Sequence, residues 1–194
     1  PTHPELYLFN GLSKIQLKQF KEAIDLLEEG IKLIINNKNL TSQFYSNLAD
    51  AYHELENHQK SDKYFELTLE NNPENYFILN NYAYYLSERK EKLELAKTMS
   101  AKANKLNPNE YSFEDTYGWI LFQLKDYENA LIWINKSLKN GGTTSGVINE
   151  HLGDIYFFLN QKEKAIIYWK KASKLDNTSE FLLKKIQLKT YLDK

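Results

Sequence analysis

Cysteine is absent, which excludes disulfides, thiolate metal sites and cysteine nucleophiles. Cytoplasm and periplasm both tolerate such a composition, so the compartment stays open. Arginine is nearly absent as well: Arg89 stands alone, whereas bidentate readout of phosphates or guanine edges usually draws on several arginines. Charge of either sign is not in excess, with 25 basic residues against 26 acidic ones and a net charge of −1. A polyanion therefore has nothing to be drawn to, and nucleic acid is not an expected partner. No apolar run approaches the roughly 20 residues that cross a bilayer, so no direct membrane span is expected. The first residue is Pro1, not methionine, which points to a processed or excised form with any signal or lipid-anchor segment lying upstream. Glycine and proline are few, 7 and 4 in 194 residues, and fall at regular intervals. That is the pattern of helices punctuated by turns.

What is present is a period. The segments LYLFNGLSKI, FYSNLADAYHEL, LNNYAYYLSE, FEDTYGWILFQL and INEHLGDIYFFL share a large apolar residue, a small residue and another large apolar one. The small residues are Gly11, Ala49, Ala83, Gly118 and Gly153, separated by 38, 34, 35 and 35 positions. A second ladder, Ala23, Ser61, Ala96, Ala130 and Ala165, has separations of 38, 35, 34 and 35. Two ladders sharing one period predict a helix–turn–helix repeat. A small residue on the first helix lets the second approach closely, and large apolar residues one turn away fill the gap.

Here the chain resembles the tetratricopeptide repeat family over nearly its whole length. The fullest units run Tyr45, Leu48, Ala49, Tyr52, Ser61, Phe65, Pro73 and Leu152, Gly153, Tyr156, Ala165, Trp169, Ala172. Pro73 and Pro108 stand where that family ends its second helix. The resemblance implies an all-α, right-handed superhelix (an α-α solenoid) forming a single array over residues 1–194. Five repeats are expected, about 4–37, 42–75, 76–110, 111–144 and 146–179, followed by a capping helix over 180–192. In the first repeat Lys14 takes the place of an aromatic. Residues 38–41 read as an insertion, and Gly141 to Gly146 as a flexible linker. Ala49, Ala83, Gly118, Ala130, Gly153 and Ala165 should be buried at helix crossings. On the capping helix, Leu182, Leu183 and Ile186 should pack on the last repeat, with Phe181, Leu188 and Leu192 on another stripe.

Signals of chemistry are poor. His53 and His58 flank a sequence like a zinc-protease helix, but that motif needs histidines four apart. Five apart they diverge by about 140° around a helix, and His58 falls in a turn. The glycine-rich stretch 141–146 lacks the Lys-Ser/Thr ending of a phosphate loop and follows a helix. Glu150, His151 and Asp154 form the densest polar cluster, yet no nucleophile or metal set joins them. No catalytic residue, metal ligand or cofactor is expected, and the chain reads as a non-enzyme.

In such a superhelix the first helices line the inside. Taken at i, i+4 and i+7, their inner stripe reads Leu8-Leu12-Ile15, Ser46-Asp50-His53, Asn80-Tyr84-Ser87, Asp115-Trp119-Phe122 and Glu150-Asp154-Phe157, flanked by Asn47, Asn81, Thr116 and His151. The expected partner-binding groove is therefore Asn47, Asp50, Asn80, Asn81, Tyr84, Asp115, Trp119, Phe122, Glu150, His151, Asp154 and Phe157. Asn47 and Asn81 resemble the asparagines with which some members of the family hold an extended peptide. The stripe carries no lysine or arginine, so the basic carboxylate clamp of the chaperone-adaptor members is not available. The alternative for Trp119, Phe122 and Phe157 is packing between repeats.

LNNYAYYL, DTYGWILFQLKDYENAL and INEHLGDIYFFLNQKEKAIIYWKKA resemble a bacterial, Bacteroidetes-like subgroup of the Gram-negative envelope, often lipoproteins of the outer membrane. The resemblance implies a scaffold or adaptor that binds a partner protein or extended peptide in its groove, in the periplasm or at the outer membrane. A self-associating structural module is the alternative function, and the cytoplasm the alternative compartment. The apolar stripe Leu8-Leu12-Ile15 suggests that the first repeat is covered by another repeat, a second copy or a ligand.

Overall fold

The computed structural model describes residues 3–193. Among them lie eleven α-helices and no strand. They are α1 (Pro4–Gln16), α2 (Phe20–Ile31), α3 (Lys38–Glu54), α4 (His58–Asn71), α5 (Tyr76–Glu88), α6 (Leu93–Leu106), α7 (Tyr111–Gln123), α8 (Tyr127–Lys139), α9 (Gly146–Phe158), α10 (Lys162–Ala172) and α11 (Leu182–Leu188). The chain divides into two compact units, the first ending at Tyr82 and the second beginning at Ala83, inside α5.

In the first unit α1 packs on α2, α2 on α3 and α3 on α4. Leu8, Leu27, Phe44, Leu48 and Tyr52 form its core, with Leu12 and Ile15 packed against it. The apolar stripe of α1 is thus spent inside this unit, and its exposed apolar residues are instead Leu6 and Phe9. Lys14 reaches across to α2, where its ammonium lies 2.6 Å from Glu22 and 2.9 Å from Gln19. A polar tie replaces the aromatic wedge there. Residues 38–41 are not an inserted loop. They form the first turn of α3, capped by the Asn37 side chain accepting from the Leu40 amide, with Leu40 buried below it. At the end of this unit Tyr82 stacks on Phe65 and its hydroxyl donates to Glu66.

In the second unit α6 packs on α7, α7 on α8, α8 on α9, α9 on α10 and α10 on α11. The small residues do what the ladder predicts: Ala49, Ala83, Ala130 and Ala165 are fully buried, and Gly118 and Gly153 are buried too. A Cβ on Gly153 would lie 2.3 Å from the Trp169 ring, and one on Gly118 2.7 Å from Ile134. The stretch 141–146 is tied down: Gly142–Thr144 forms a 3₁₀ turn, Gly142 and Gly146 are buried, and Ser145 caps α9. A Cβ at Gly146 would meet the Asp176 carbonyl oxygen at 2.2 Å.

The last helix departs most from expectation. It covers Leu182–Leu188 only and stops at Lys189, whose φ is 52°. Leu182 is buried and Ile186 packs beside it, but Leu183 is 72% exposed. The inward place belongs to Lys185, a lysine that is only 3% exposed.

A third ladder accompanies the two of small residues. Lys18, Glu56, Lys90, Lys125 and Asn160, each just after the first helix of a pair, all have φ between 56° and 64°. Left-handed backbone lets each first helix end abruptly and turn into the second. Pro73 and Pro108 follow the ends of α4 and α6 as expected.

Candidate functional site

The sequence-predicted groove residues fall in both units. Four belong to the first. Asn47 donates its amide to the Gln43 carbonyl of its own helix at 2.7 Å, and Asp50 and Asn81 are half-buried. Asn80 is buried, with its side-chain oxygen lacking a hydrogen-bond partner. The other eight, Tyr84, Asp115, Trp119, Phe122, Glu150, His151, Asp154 and Phe157, lie in the second unit, where most converge.

On α7 the spacing i, i+4, i+7 puts Asp115, Trp119 and Phe122 on one face; on α9 the same spacing aligns Glu150, Asp154 and Phe157. The Oδ1 of buried Asp115 and the Nδ1 of His151 lie 2.9 Å apart and share a hydrogen bond. The Trp119 ring stacks on His151 with centroids 3.9 Å apart and on Phe122 at 4.7 Å. Its Nε1 donates to Glu88 at 3.0 Å. Asp154 accepts from Trp169 Nε1 at 2.8 Å, which joins the site to the repeat core. Phe122 and Phe157 are packing residues: Phe122 belongs to the aromatic cluster with Phe158 and Tyr191, and Phe157 packs against Trp169.

Into this frame comes a cation that the inner stripe itself does not supply. Lys185 Nζ donates to Glu150 Oε1 at 2.9 Å and to Asp154 Oδ1 and Oδ2 at 2.9 and 2.7 Å. The Ser179 amide donates to Glu150 Oε2 at 2.8 Å, and its hydroxyl bonds the other oxygen. The Tyr191 ring lies 5.1 Å from the Lys185 ammonium, and Asp193 pairs with Lys90. Lys185, Ser179, Lys90, Glu88 and Tyr191 were not among the expected site residues. One signal existed: in Leu182-Lys185-Ile186 a lysine sits at i+3 on the apolar face of a helix.

Beside these contacts is a pocket of about 440 Å³, lined by Tyr84, Glu88, Trp119, His151, Lys185 and Tyr191 among others. Its electrostatics are set by burial and by paired charges. Burial pushes the Asp154 carboxyl up to about 6, against the pull of Lys185. Glu150 is also penalised by burial, but Lys185 and the Ser179 donors outweigh this and hold it below the usual carboxylate range. Burial works against charge on His151 as well, and the Asp115 carboxylate overcomes it, raising the imidazole above its ordinary value. His53 lies in the last turn of α3, and His58 is the first residue of α4 and does not fall in the turn as expected. Among the described residues no group of three His, Cys, Asp or Glu side chains could hold a metal ion. No helix of the described residues is long and apolar enough to cross a membrane.

Comparison with known proteins agrees with this architecture. A model for ChAPs (Chs5p-Arf1p-binding proteins) matches residues 1–139, which span the pairs α1 to α8, and a tetratricopeptide repeat model matches residues 148–179, the pair α9–α10. The chain is 26% identical over 135 residues to the TPR repeat-containing protein PA4667 of Pseudomonas aeruginosa, covering 70% of this chain and 22% of that protein. It therefore spans less than a quarter of that relative's length. Among solved structures, Pseudomonas aeruginosa pilF superposes with a TM-score of 0.76 at 19% identity, over 93% of this chain and 79% of the other. YrrB, described as a TPR protein with an unusual peptide-binding site, gives 0.68 at 16% identity over 93% and 90%. At such identities these likenesses speak for the fold. The chain belongs to the ChAPs family and is a tetratricopeptide-repeat protein, its last repeat lying beyond the residues that the ChAPs match spans.

Proposed function

We propose that the chain is an interaction scaffold or adaptor that holds a partner protein or an extended peptide on the inner face of its second unit. The observation that carries this is the pocket of about 440 Å³ where Tyr84, Trp119 and His151 present aromatic surface beside the carboxylates Glu88, Glu150 and Asp154. Aromatic rings supply contact area at low entropic cost, and carboxylates accept from lysine or backbone donors. YrrB, a TPR protein with an unusual peptide-binding site, and the ChAPs, Chs5p-Arf1p-binding proteins, support the same class of function.

The test is capture of the natural partner by the full chain. Tyr84→Ala should weaken capture tenfold or more, because truncating an interface anchor costs about 2 kcal/mol. Ile167→Glu and Lys170→Glu, on the exposed side of α10, should leave it unchanged. The reverse pattern would move the binding surface to the second helices. Lys136 does not serve as a control, since it pairs with buried Glu114 at 2.9 Å.

A second reading, self-association through the first repeat, draws support from Leu6 and Phe9, 48% and 62% exposed on α1. Sedimentation of the chain and of Phe9→Glu tests it: a dimer abolished by the substitution supports it. The Gram-negative envelope is our proposed location, with the cytoplasm as the alternative. Fractionation of cells carrying the natural gene product decides between them.

A further inference from the structure

The pocket of the second unit already holds a ligand-like group, and it comes from the chain itself. We propose that Glu150 and Asp154 form a receptor for the lysine side chain of a partner segment. Lys185, with the stretch Ser179–Asp193, is the resident occupant that such a segment replaces. The inference rests on the scaffold reading above and names the chemistry of its partner.

The geometry suits an ammonium group. Lys185 Nζ has three N–H donors, and three carboxylate oxygens lie 2.7 to 2.9 Å from it. A flat guanidinium fork would not place its donors this way. Much of the attachment of the stretch is polar: Ser179 to Glu150, Lys185 to both carboxylates, Asp193 to Lys90. Leu182 and Ile186 pack inward, while Leu183 and Leu188 are 72% and 60% exposed. A buried ion pair adds little net stability, yet stripping away its cation leaves costly buried carboxylates. Exchange of one lysine for another is therefore easy, whereas vacating the site is not. α11 has seven residues, too few to hold a helix alone, so its release loses few intrahelical bonds. The open volume beside Lys185, lined by Tyr84, Gln123 and Trp119, leaves room for the residues flanking an incoming lysine. The resident stretch competes at an effective concentration on the order of millimolar, which lowers the apparent affinity of any outside segment.

The test uses a fluorescent peptide of this chain's own residues 179–193, SEFLLKKIQLKTYLD. Full-length Lys185→Ala should bind it at least tenfold more tightly than the unaltered chain does, and at least tenfold more tightly than the same peptide with alanine at the Lys185 position. A folded Lys185→Ala chain that binds both peptides alike, or neither, overturns the proposal. Should this variant fail to fold, a second measurement decides. The chain has no cysteine, so Glu163→Cys and Lys184→Cys, both at exposed positions, can carry spin labels with Lys185 in place. Millimolar peptide should broaden the distance between the labels, and the alanine peptide should not; an unchanged distance overturns the proposal. Partner capture that depends on Tyr84 but ignores lysine would likewise remove this inference while keeping the scaffold.

Discussion

At the scale of single residues, close approach between helices governs. Gly153 lies so near Trp169 that any Cβ must displace the indole ring, whose Nε1 also holds Asp154. Gly153→Ala should therefore destabilise by about 1–3 kcal/mol, the usual cost of overpacking, measurable by urea denaturation. The turn ladder is different in kind. Lys125 sits at φ 64°, where a side chain is tolerated but strained. Glycine there relieves strain yet loosens the unfolded chain, so Lys125→Gly should shift stability by less than about 1 kcal/mol. Lys125→Val should be plainly destabilising, because β-branched residues avoid this region. His151 brings pH into play. Its folded value is raised by Asp115, so the folded state holds a proton that the unfolded chain releases. The resulting stability is complete below about pH 6.5, the unperturbed histidine value, and is lost as pH rises through the folded value. His151→Gln should remove that dependence, and NMR titration of the imidazole should show the raised value directly.

At the scale of elements, α11 is a short helix held by a charge. Deleting residues 179–194 uncovers the site of Leu182 and strips Glu150 and Asp154 of their cation. Removing one member of a buried pair costs about 3–5 kcal/mol, which at this chain length lowers the melting temperature by roughly 6–20 °C. The loss should shrink at pH 5. Asp154, raised by burial to about 6, is then mostly neutral and no longer needs a counter-charge. A penalty that is the same at pH 7.5 and pH 5 would mean that apolar cover, not charge, holds the helix. The seventeen-residue α3 illustrates the other use of an element: its extra first turn absorbs residues that break the period, without disturbing the crossing at Ala49.

At the scale of the whole molecule, the division into units falls inside α5. Tyr82, the last residue of the first unit, and Ala83 and Leu86 in the second are all buried. We propose that the chain folds as a single array: one cooperative transition in calorimetry would support this, and two transitions would separate the units. Binding should respond differently. Because the pocket lies wholly in the second unit, Tyr84→Ala should weaken partner capture tenfold or more without moving that transition by more than a few degrees.

The amino-acid sequence alone determined the repeat, its period and its crossings, because helix–helix contact selects small residues and leaves a ladder that survives wide divergence elsewhere. It also determined that Trp119, Glu150, His151 and Asp154 face one side, since helical periodicity carries that information. Tertiary structure decided what meets them. Nothing in the local pattern says that Lys185 turns inward, for its cost is offset only by two carboxylates some thirty positions away in the chain. The same holds for the stacking of Trp119 on His151, which joins residues from different repeats. The left-handed turns at Lys18, Glu56, Lys90 and Lys125 were equally illegible, because lysine and glutamate do not mark such a backbone. Only the packed helices on either side force the chain through it.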